Sequence, residues 1–121
     1  MDPKPPKYNQ VKGIVNISVD DISPHPQSSH RCLQLCHKLV DMHPDIKISL
    51  FVPTAYWRTI PIKNWDASTP QALSLVDSPE LCDILRALDP KNFEICYHGM
   101  YHGIPGESNN YEFKNLTVEE T

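Results

Sequence analysis

Segments with the pattern of buried strands alternate along this chain with segments that have the periodicity of amphipathic helices. The strand-like segments are rich in β-branched and aromatic residues and occupy residues 13–19, 46–52 and 93–97. The two helical segments lie between them, giving the order strand, helix, strand, helix, strand. This order predicts an α/β fold built as a parallel βαβαβ unit with right-handed crossovers.

The first helix is expected to begin at Ser28 or Ser29 and to reach about Met42, before Pro44 stops it. Apolar residues recur at helical spacing along it, and they predict one buried stripe. The members of this stripe are Cys32, Leu35, Cys36, Leu39 and Val40.

The second helix has a clear start at Ser78-Pro79-Glu80, with an N-cap serine, a proline at the first helical position and an acidic first turn. Its predicted buried face consists of Leu81, Ile84, Leu85 and Leu88. Residues 54–77 have no clear period, and residues 116–120 resemble the start of a further helix with a capping box.

Length and composition exclude several classes of function. The 121 residues suit one domain, with residues 1–12 expected as a flexible lead-in and 13–121 as the α/β domain. Lys and Arg total 11 against 15 Asp and Glu, with no basic stretch, which argues against a nucleic-acid partner. No apolar run approaches the roughly 18 to 20 residues of a membrane span. The N-terminus lacks the apolar region of a signal peptide, which favours a cytoplasmic location.

Four cysteines occur, and none has the close Cys-x2-Cys spacing of a structural zinc site. They are Cys32, Cys36, Cys82 and Cys96. We expect them to be reduced and buried, acting as small apolar residues. A disulfide or a cysteine-rich metal site is the alternative.

Residue types that commonly bind metal ions follow the first and the third predicted strand. Asp20 and Asp21 come after the first strand. His98 and His102 follow the third, four residues apart. Because sites in parallel sheets form at the carboxyl ends of the strands, these side chains are expected to meet. Together they can hold one divalent ion and leave a carboxylate free to take a proton, although each pair alone is equally typical of an ordinary loop.

Two further residues are candidates for contact with a substrate. His25 follows the acidic pair closely enough to line the pocket, and Tyr101 lies between the two histidines. Aromatic residues near these positions either form a stacking wall for a sugar or cover an edge of the core. They are Tyr56, Trp57, Trp65 and Tyr101.

Two of these segments resemble a known family. Ile17-Ser18-Val19-Asp20-Asp21 resembles the first motif of the polysaccharide deacetylase (NodB-homology) superfamily, a strand that ends in Thr-Phe-Asp-Asp-Gly. His98-Gly99-Met100-Tyr101-His102 resembles its second motif, His-x3-His. With Glu112-Phe113 and residues 116–120, the pattern is most similar to the divergent deacetylase-like branch of that superfamily. The resemblance covers residues 13–121.

The resemblance implies part of a distorted (β/α) barrel and a metal-dependent hydrolase that removes acetyl groups from N-acetylated sugars. Asp21, His98 and His102 would hold one divalent ion, commonly zinc, and Asp20 would be the general base. The ion would polarise the acetamide carbonyl and lower the pKa of a bound water. Asp20 would take the proton of that water, and the products would be acetate and a free amine.

The sequence departs from the family in two respects. Ile22 stands where the family has a glycine, so the loop after Asp21 is expected to follow a different path. A barrel of this type needs on the order of 200 residues, and the histidine that acts as general acid has no counterpart here. We therefore expect the chain to be the N-terminal part of such a domain, completed by the remainder of the barrel.

Two alternatives remain. The first is a non-catalytic α/β module that assembles with itself or with a partner chain through an open sheet edge. The second is a carbohydrate hydrolase that uses the acidic pair in glycosidic cleavage. That chemistry needs carboxylates about 5 to 10 Å apart across a sugar, which the adjacent Asp20 and Asp21 do not obviously provide.

Overall fold

The computed structural model describes residues 13, 15–24, 29–56, 72–102 and 117–120. The described chain forms seven elements. In chain order they are β1 (Ile17–Val19), α1 (Ser29–Met42), β2 (Ile48–Val52), β3 (Ala55–Tyr56), β4 (Leu73–Ser74), α2 (Pro79–Arg86) and β5 (Phe93–Tyr97). The fold class is mixed α/β, as the alternation in the sequence predicts. Some predictions fall outside the described residues. They concern residues 1–12, His25, Trp57 and Trp65.

The main sheet has three parallel strands in the order β1-β2-β5. Ile48 of β2 lies between Ile17 of β1 and Phe93 of β5 in register. The parallel arrangement is therefore confirmed for these strands. Since parallel strands end at the same edge, the residues after Val19 and after Tyr97 are brought to one side of the sheet.

Strands β1 and β2 are shorter than predicted at their amino ends. The N–H of Ile46 donates to the carbonyl of His43 at 3.0 Å, so Ile46 belongs to the turn after α1 and the ladder starts at Ile48. Its partner Ile17 is accordingly the first paired residue of β1, and the described Val15 is 85% exposed.

Helix α1 has the predicted bounds but buries a slightly different face. Leu33 and Cys36 are the buried apolar residues, whereas Leu35 is 60% exposed. The placement of Leu35 in the buried stripe is therefore wrong. Since successive helical residues are about 100° apart, Leu35 lies about 200° from Leu33 and faces outward when Leu33 faces the core. Of the other predicted members, Cys32, Leu39 and Val40 pack partly buried against the core.

Helix α2 begins where the sequence predicts, with Pro79 as its first residue. The Ser78 hydroxyl makes no capping bond and instead donates to the Ser74 carbonyl at 2.9 Å. Leu81 and Leu85 are buried, and the other two predicted apolar residues pack partly buried against them. This helix is therefore held by its apolar face rather than by its N-cap side chain.

The core lies between the helices and one face of the sheet. Strand β2 supplies alternate buried residues, Ile48, Leu50 and Val52, as expected for the central strand of a half-covered sheet. The buried cluster consists of Ile22, Leu33, Cys36, Ile48, Leu50, Val52, Leu81, Leu85 and Phe93. No helix in the described part of the chain is long and apolar enough to cross a membrane.

Two features are absent from the sequence prediction or differ from it. Strands β3 and β4 form a small antiparallel pair, with Ala55 opposite Ser74, in the segment that has no clear period. Residues 117–120 form a turn, in which the Thr117 N–H donates to Glu120 Oε2 at 2.9 Å. That bond is one half of the expected capping box.

All four cysteines are free, as expected, but only one is fully buried. Cys36 is the buried one, and the others are partly exposed. Burial raises the pKa of the Cys36 thiol, and the nearby Cys32 raises it further.

Candidate metal centre

Asp21 is positioned by the segment that leaves β1. The Ile22 N–H donates to the Phe51 carbonyl at 3.1 Å. Because Leu50 is the last β2 residue paired with β1, this bond keeps the segment beside β2 for one more β2 residue. The Ile22 side chain is fully buried in the core cluster. Ile22 therefore anchors the loop, and Asp21 before it has a left-handed backbone with φ of 62°.

A reciprocal pair of hydrogen bonds fixes the next part of the same loop. The Ser23 N–H donates to Ser29 Oγ at 2.8 Å, and the Ser29 hydroxyl donates to the Ser23 carbonyl at 2.6 Å. Both serines are 1% exposed. The first residue of α1 thus ties down the chain two residues after Asp21.

The two histidines are presented by an irregular turn after β5. The His98 N–H donates to the Val52 carbonyl at 3.1 Å and extends the β2–β5 ladder. The turn itself contains Gly99, with φ of 75°, and His102, with φ of 67°. Gly99 therefore permits the turn that a regular helix would not provide.

Strand β3 holds this turn through its backbone. The Thr54 N–H donates to the Gly99 carbonyl at 3.2 Å, and the Ala55 N–H donates to the Met100 carbonyl at 2.6 Å. The Leu75 N–H in turn donates to the Thr54 carbonyl at 3.0 Å. The small β3–β4 pair, which the sequence does not reveal, therefore supports the histidine turn.

Asp21, His98 and His102 converge on one point at the carboxyl edge of the sheet. Asp21 Oδ1 lies 2.8 Å from His102 Nε2 and 3.2 Å from His98 Nε2. One ligand atom from each residue lies within 4.8 Å of the other two. Within the described part of the chain, these three residues could hold a metal ion, as the positions of the two motifs at the strand ends predict.

The state of the Asp21 carboxylate favours a cation at this point. Asp21 Oδ1 is buried, yet no donor among the described residues reaches it with hydrogen-bond geometry, despite the short distances to the two rings. A buried carboxylate oxygen without a hydrogen bond is costly, and a cation would compensate it. Ligands bonded at about 2.1 Å in tetrahedral geometry lie about 3.4 Å apart. The two distances from Asp21 Oδ1 to the imidazole nitrogens, 2.8 and 3.2 Å, are therefore close to those of an occupied site.

Aromatic rings pack against both imidazoles. The Tyr56 ring lies 5.3 Å from the His102 ring, and the Phe51 ring lies 5.8 Å from the His98 ring in an edge-on arrangement. Tyr56 is 3% exposed, and the His102 side chain is 8% exposed. These contacts limit the rotation of the two imidazoles and exclude water from one side of His102.

Of the remaining candidate residues, the structure describes Asp20, Tyr101 and Tyr56. Asp20 is exposed and comes directly after β1, outside the three-residue group. Tyr101 is 44% exposed on the turn between the histidines. Tyr56 is buried against His102, so it covers a core edge and does not belong to an open stacking wall. His25 lies outside the described residues.

Sequence reasoning missed one contributor to the site, Phe51. This residue is half-buried on the sheet face opposite the core, one residue before the end of β2, and that position next to the motif strands could have indicated it. Tyr56 is among the aromatic candidates, and of its two expected roles the structure supports the covering of a core edge.

Comparisons of the chain with protein-family models, with curated proteins and with solved structures find no match. The chemistry of this centre therefore rests on its own geometry.

Proposed function

We propose that this chain carries the metal centre of a hydrolase of the polysaccharide-deacetylase type, which removes acetyl groups from N-acetylated sugars. The observation that carries the proposal is the convergence of Asp21, His98 and His102 from two strand ends that are far apart in sequence. The similarity of both motifs to that superfamily supports the choice of substrate class.

The donor set suits a zinc ion. One carboxylate oxygen and two imidazole nitrogens are common ligands of catalytic zinc, which keeps a further position open. When bound, such an ion polarises a carbonyl group and makes water more acidic. Asp21, His98 and His102 hold it, and the buried side of His102 prevents water from competing there.

Asp20 is the proposed general base. It follows β1 directly, its side chain is exposed, and it is the neighbour in sequence of the ligand Asp21. An exposed carboxylate at this position can take a proton from the attacking water as the carbonyl carbon becomes tetrahedral. Asp20 therefore takes the proton of the water and returns it to the nitrogen of the leaving amine as the C–N bond breaks, while Asp21 only binds.

The proposed fold is part of a (β/α) barrel. Three parallel strands with both helices covering one face support this interpretation, as does the position of the site at the carboxyl ends of the strands. In such a barrel the opposite face, with Ser49 and Glu94, would line the interior.

The test is release of acetate from short N-acetylglucosamine oligomers by the purified chain loaded with zinc. We expect release that stops after chelation, returns on zinc addition and is lost in His98→Ala. His43→Ala is the matched control because His43 is an exposed histidine outside the site. A metal-loaded chain that releases no acetate would contradict the proposed activity while leaving the metal site in place.

A second candidate is a non-catalytic module that assembles through its sheet edge. The observation that favours it is the exposure of Ile95 and Tyr97 on β5, 52% and 68% respectively. Metal binding without hydrolysis, together with self-association, would support this candidate over the first.

A further inference from the structure

The outer edge of β5 has unpaired backbone groups. The Ile48 N–H donates to the Asn92 carbonyl, and the His98 N–H donates to the Val52 carbonyl, so even-numbered residues of this segment point toward β2. In a parallel ladder the alternate residues then point away from β2. The backbone groups of Ile95 and Tyr97 therefore face outward, and no described strand pairs with them.

The side chains of Ile95 and Tyr97 lie on the core face of the sheet but are left exposed there. Phe93, Ile95 and Tyr97 lie on the side of the sheet that carries the buried residues of β2, because directly paired residues share a face. Phe93 is 7% exposed, but Ile95 and Tyr97 are largely uncovered. Edge strands that are long, apolar and open are templates for pairing with another strand.

The sequence of β5 is self-complementary about Ile95. If two copies of Phe93–Tyr97 run antiparallel with Ile95 at the centre, Ile95 meets Ile95, and Phe93 of each copy meets Tyr97 of the other. Aromatic and β-branched pairs of this kind stabilise antiparallel strands. On the opposite face, Glu94 meets the Cys96 thiol of the second copy.

We propose that β5 pairs with β5 of a second copy of this chain, antiparallel and centred on Ile95, so that the two sheets form one continuous sheet. The central isoleucines exchange their N–H and carbonyl groups. The Tyr97 N–H of each copy donates to the Phe93 carbonyl of the other, while the Phe93 N–H keeps its 3.0 Å bond to the Asp89 carbonyl.

Electrostatics selects this register over its neighbour centred on Glu94. A pairing centred on Glu94 places two carboxylates directly opposite each other, which is unfavourable. In the register centred on Ile95, the carboxylate of Glu94 lies opposite a thiol. This proposal rests on the second candidate function, the module that assembles through its sheet edge, and it names the partner strand. None of its paired side chains belongs to the metal ligands Asp21, His98 or His102, so its failure would leave the metal centre untouched.

The first test is the mass of the full chain in solution at about 100 µM, a concentration that populates weak interfaces. We expect a species of twice the chain mass of 13.8 kDa. Ile95→Lys places two like charges directly opposite and should give the monomer, with an unchanged circular dichroism spectrum because this side chain is already half exposed. Leu35→Lys, on the exposed side of α1, should remain dimeric. A monomeric wild-type chain, or a dimer that Ile95→Lys leaves unchanged, would overturn the proposal.

The second test reports the register. Directly opposed, hydrogen-bonded residues have Cα atoms about 5.5 Å apart, which a disulfide can bridge. Ile95→Cys should therefore form a dimer that survives denaturing electrophoresis without reductant, whereas Leu35→Cys should not. Cross-linking through the native Cys96 in preference to the new cysteine would show a different register and would overturn the one proposed.

Discussion

Asp21 and His102 both have left-handed backbones, with φ of 62° and 67°, and their side chains meet at 2.8 Å. Among the described residues they are the only non-glycine residues with positive φ. Such conformations cost on the order of 1–3 kcal/mol each and persist where the surrounding structure imposes them. Both strained residues are proposed ligands, which is the pattern expected of a preorganised binding site.

Asp21→Asn should weaken zinc binding by about 100-fold or more, since it removes the only anionic ligand of a three-residue set. Asparagine tolerates a left-handed backbone, so the fold should remain intact. Isothermal titration of the apo chain measures the affinity. Equal affinity in Asp21→Asn and the wild type would exclude Asp21 as a ligand.

Asp20→Asn should retain the ion but lower acetate release by about 100- to 10,000-fold, the usual contribution of a general base. The substitution keeps the size of the side chain and removes its capacity to take a proton. The two readouts are metal content and initial rate on the same sample. Loss of the ion in Asp20→Asn would make Asp20 a ligand instead.

Phe51→Leu should weaken zinc binding by about tenfold, as is typical when a group that orients a ligand is lost. The Phe51 ring packs edge-on against His98, and leucine cannot limit the rotation of the imidazole in the same way. Unfolding free energy should fall by no more than about 1.5 kcal/mol, because Phe51 is only half buried. A stability loss without an affinity loss would show that Phe51 has only a packing role.

The elements with strong local signals could be predicted from the sequence, and the supporting ones could not. The start of α2 at Pro79, the spacing of its leucines and the strand-like composition of β5 are local signals. They predict these elements whatever the rest of the chain does. The meeting of Asp21, His98 and His102 could be expected for a related reason, since each follows the end of a parallel strand. By contrast, the exposure of Leu35 depends on how α1 is rotated against the sheet. The burial of Tyr56 depends on a two-residue strand that only pairing creates.

Ser29→Ala should lower the unfolding free energy by about 1–3 kcal/mol, because it leaves the buried N–H and carbonyl of Ser23 without the hydroxyl that both now bond. Chemical denaturation measures the change. Ser18→Ala, in an exposed position of β1, is the control and should change stability by less than about 0.5 kcal/mol. Equal effects of the two substitutions would contradict the anchoring role of Ser29.

Cys36 should be the slowest of the four cysteines to react with iodoacetamide in the native chain. Burial, and then the neighbouring Cys32, raises the pKa of its thiol, so less of the reactive thiolate is present at pH 8 and the rate keeps rising at higher pH. Peptide mass spectrometry after timed labelling gives the order. Labelling of Cys36 as fast as that of the partly exposed Cys82 would contradict its position in the core.

The most direct test of the metal centre is the metal content of the purified chain after incubation with zinc and removal of the excess, measured by elemental mass spectrometry. We predict about one ion per wild-type chain, as three converging ligands imply, and none above background in His98→Ala. His43→Ala should bind like the wild type. An absence of bound ion in the wild-type chain, or equal content in His98→Ala, would contradict the assignment of Asp21, His98 and His102 as a metal centre.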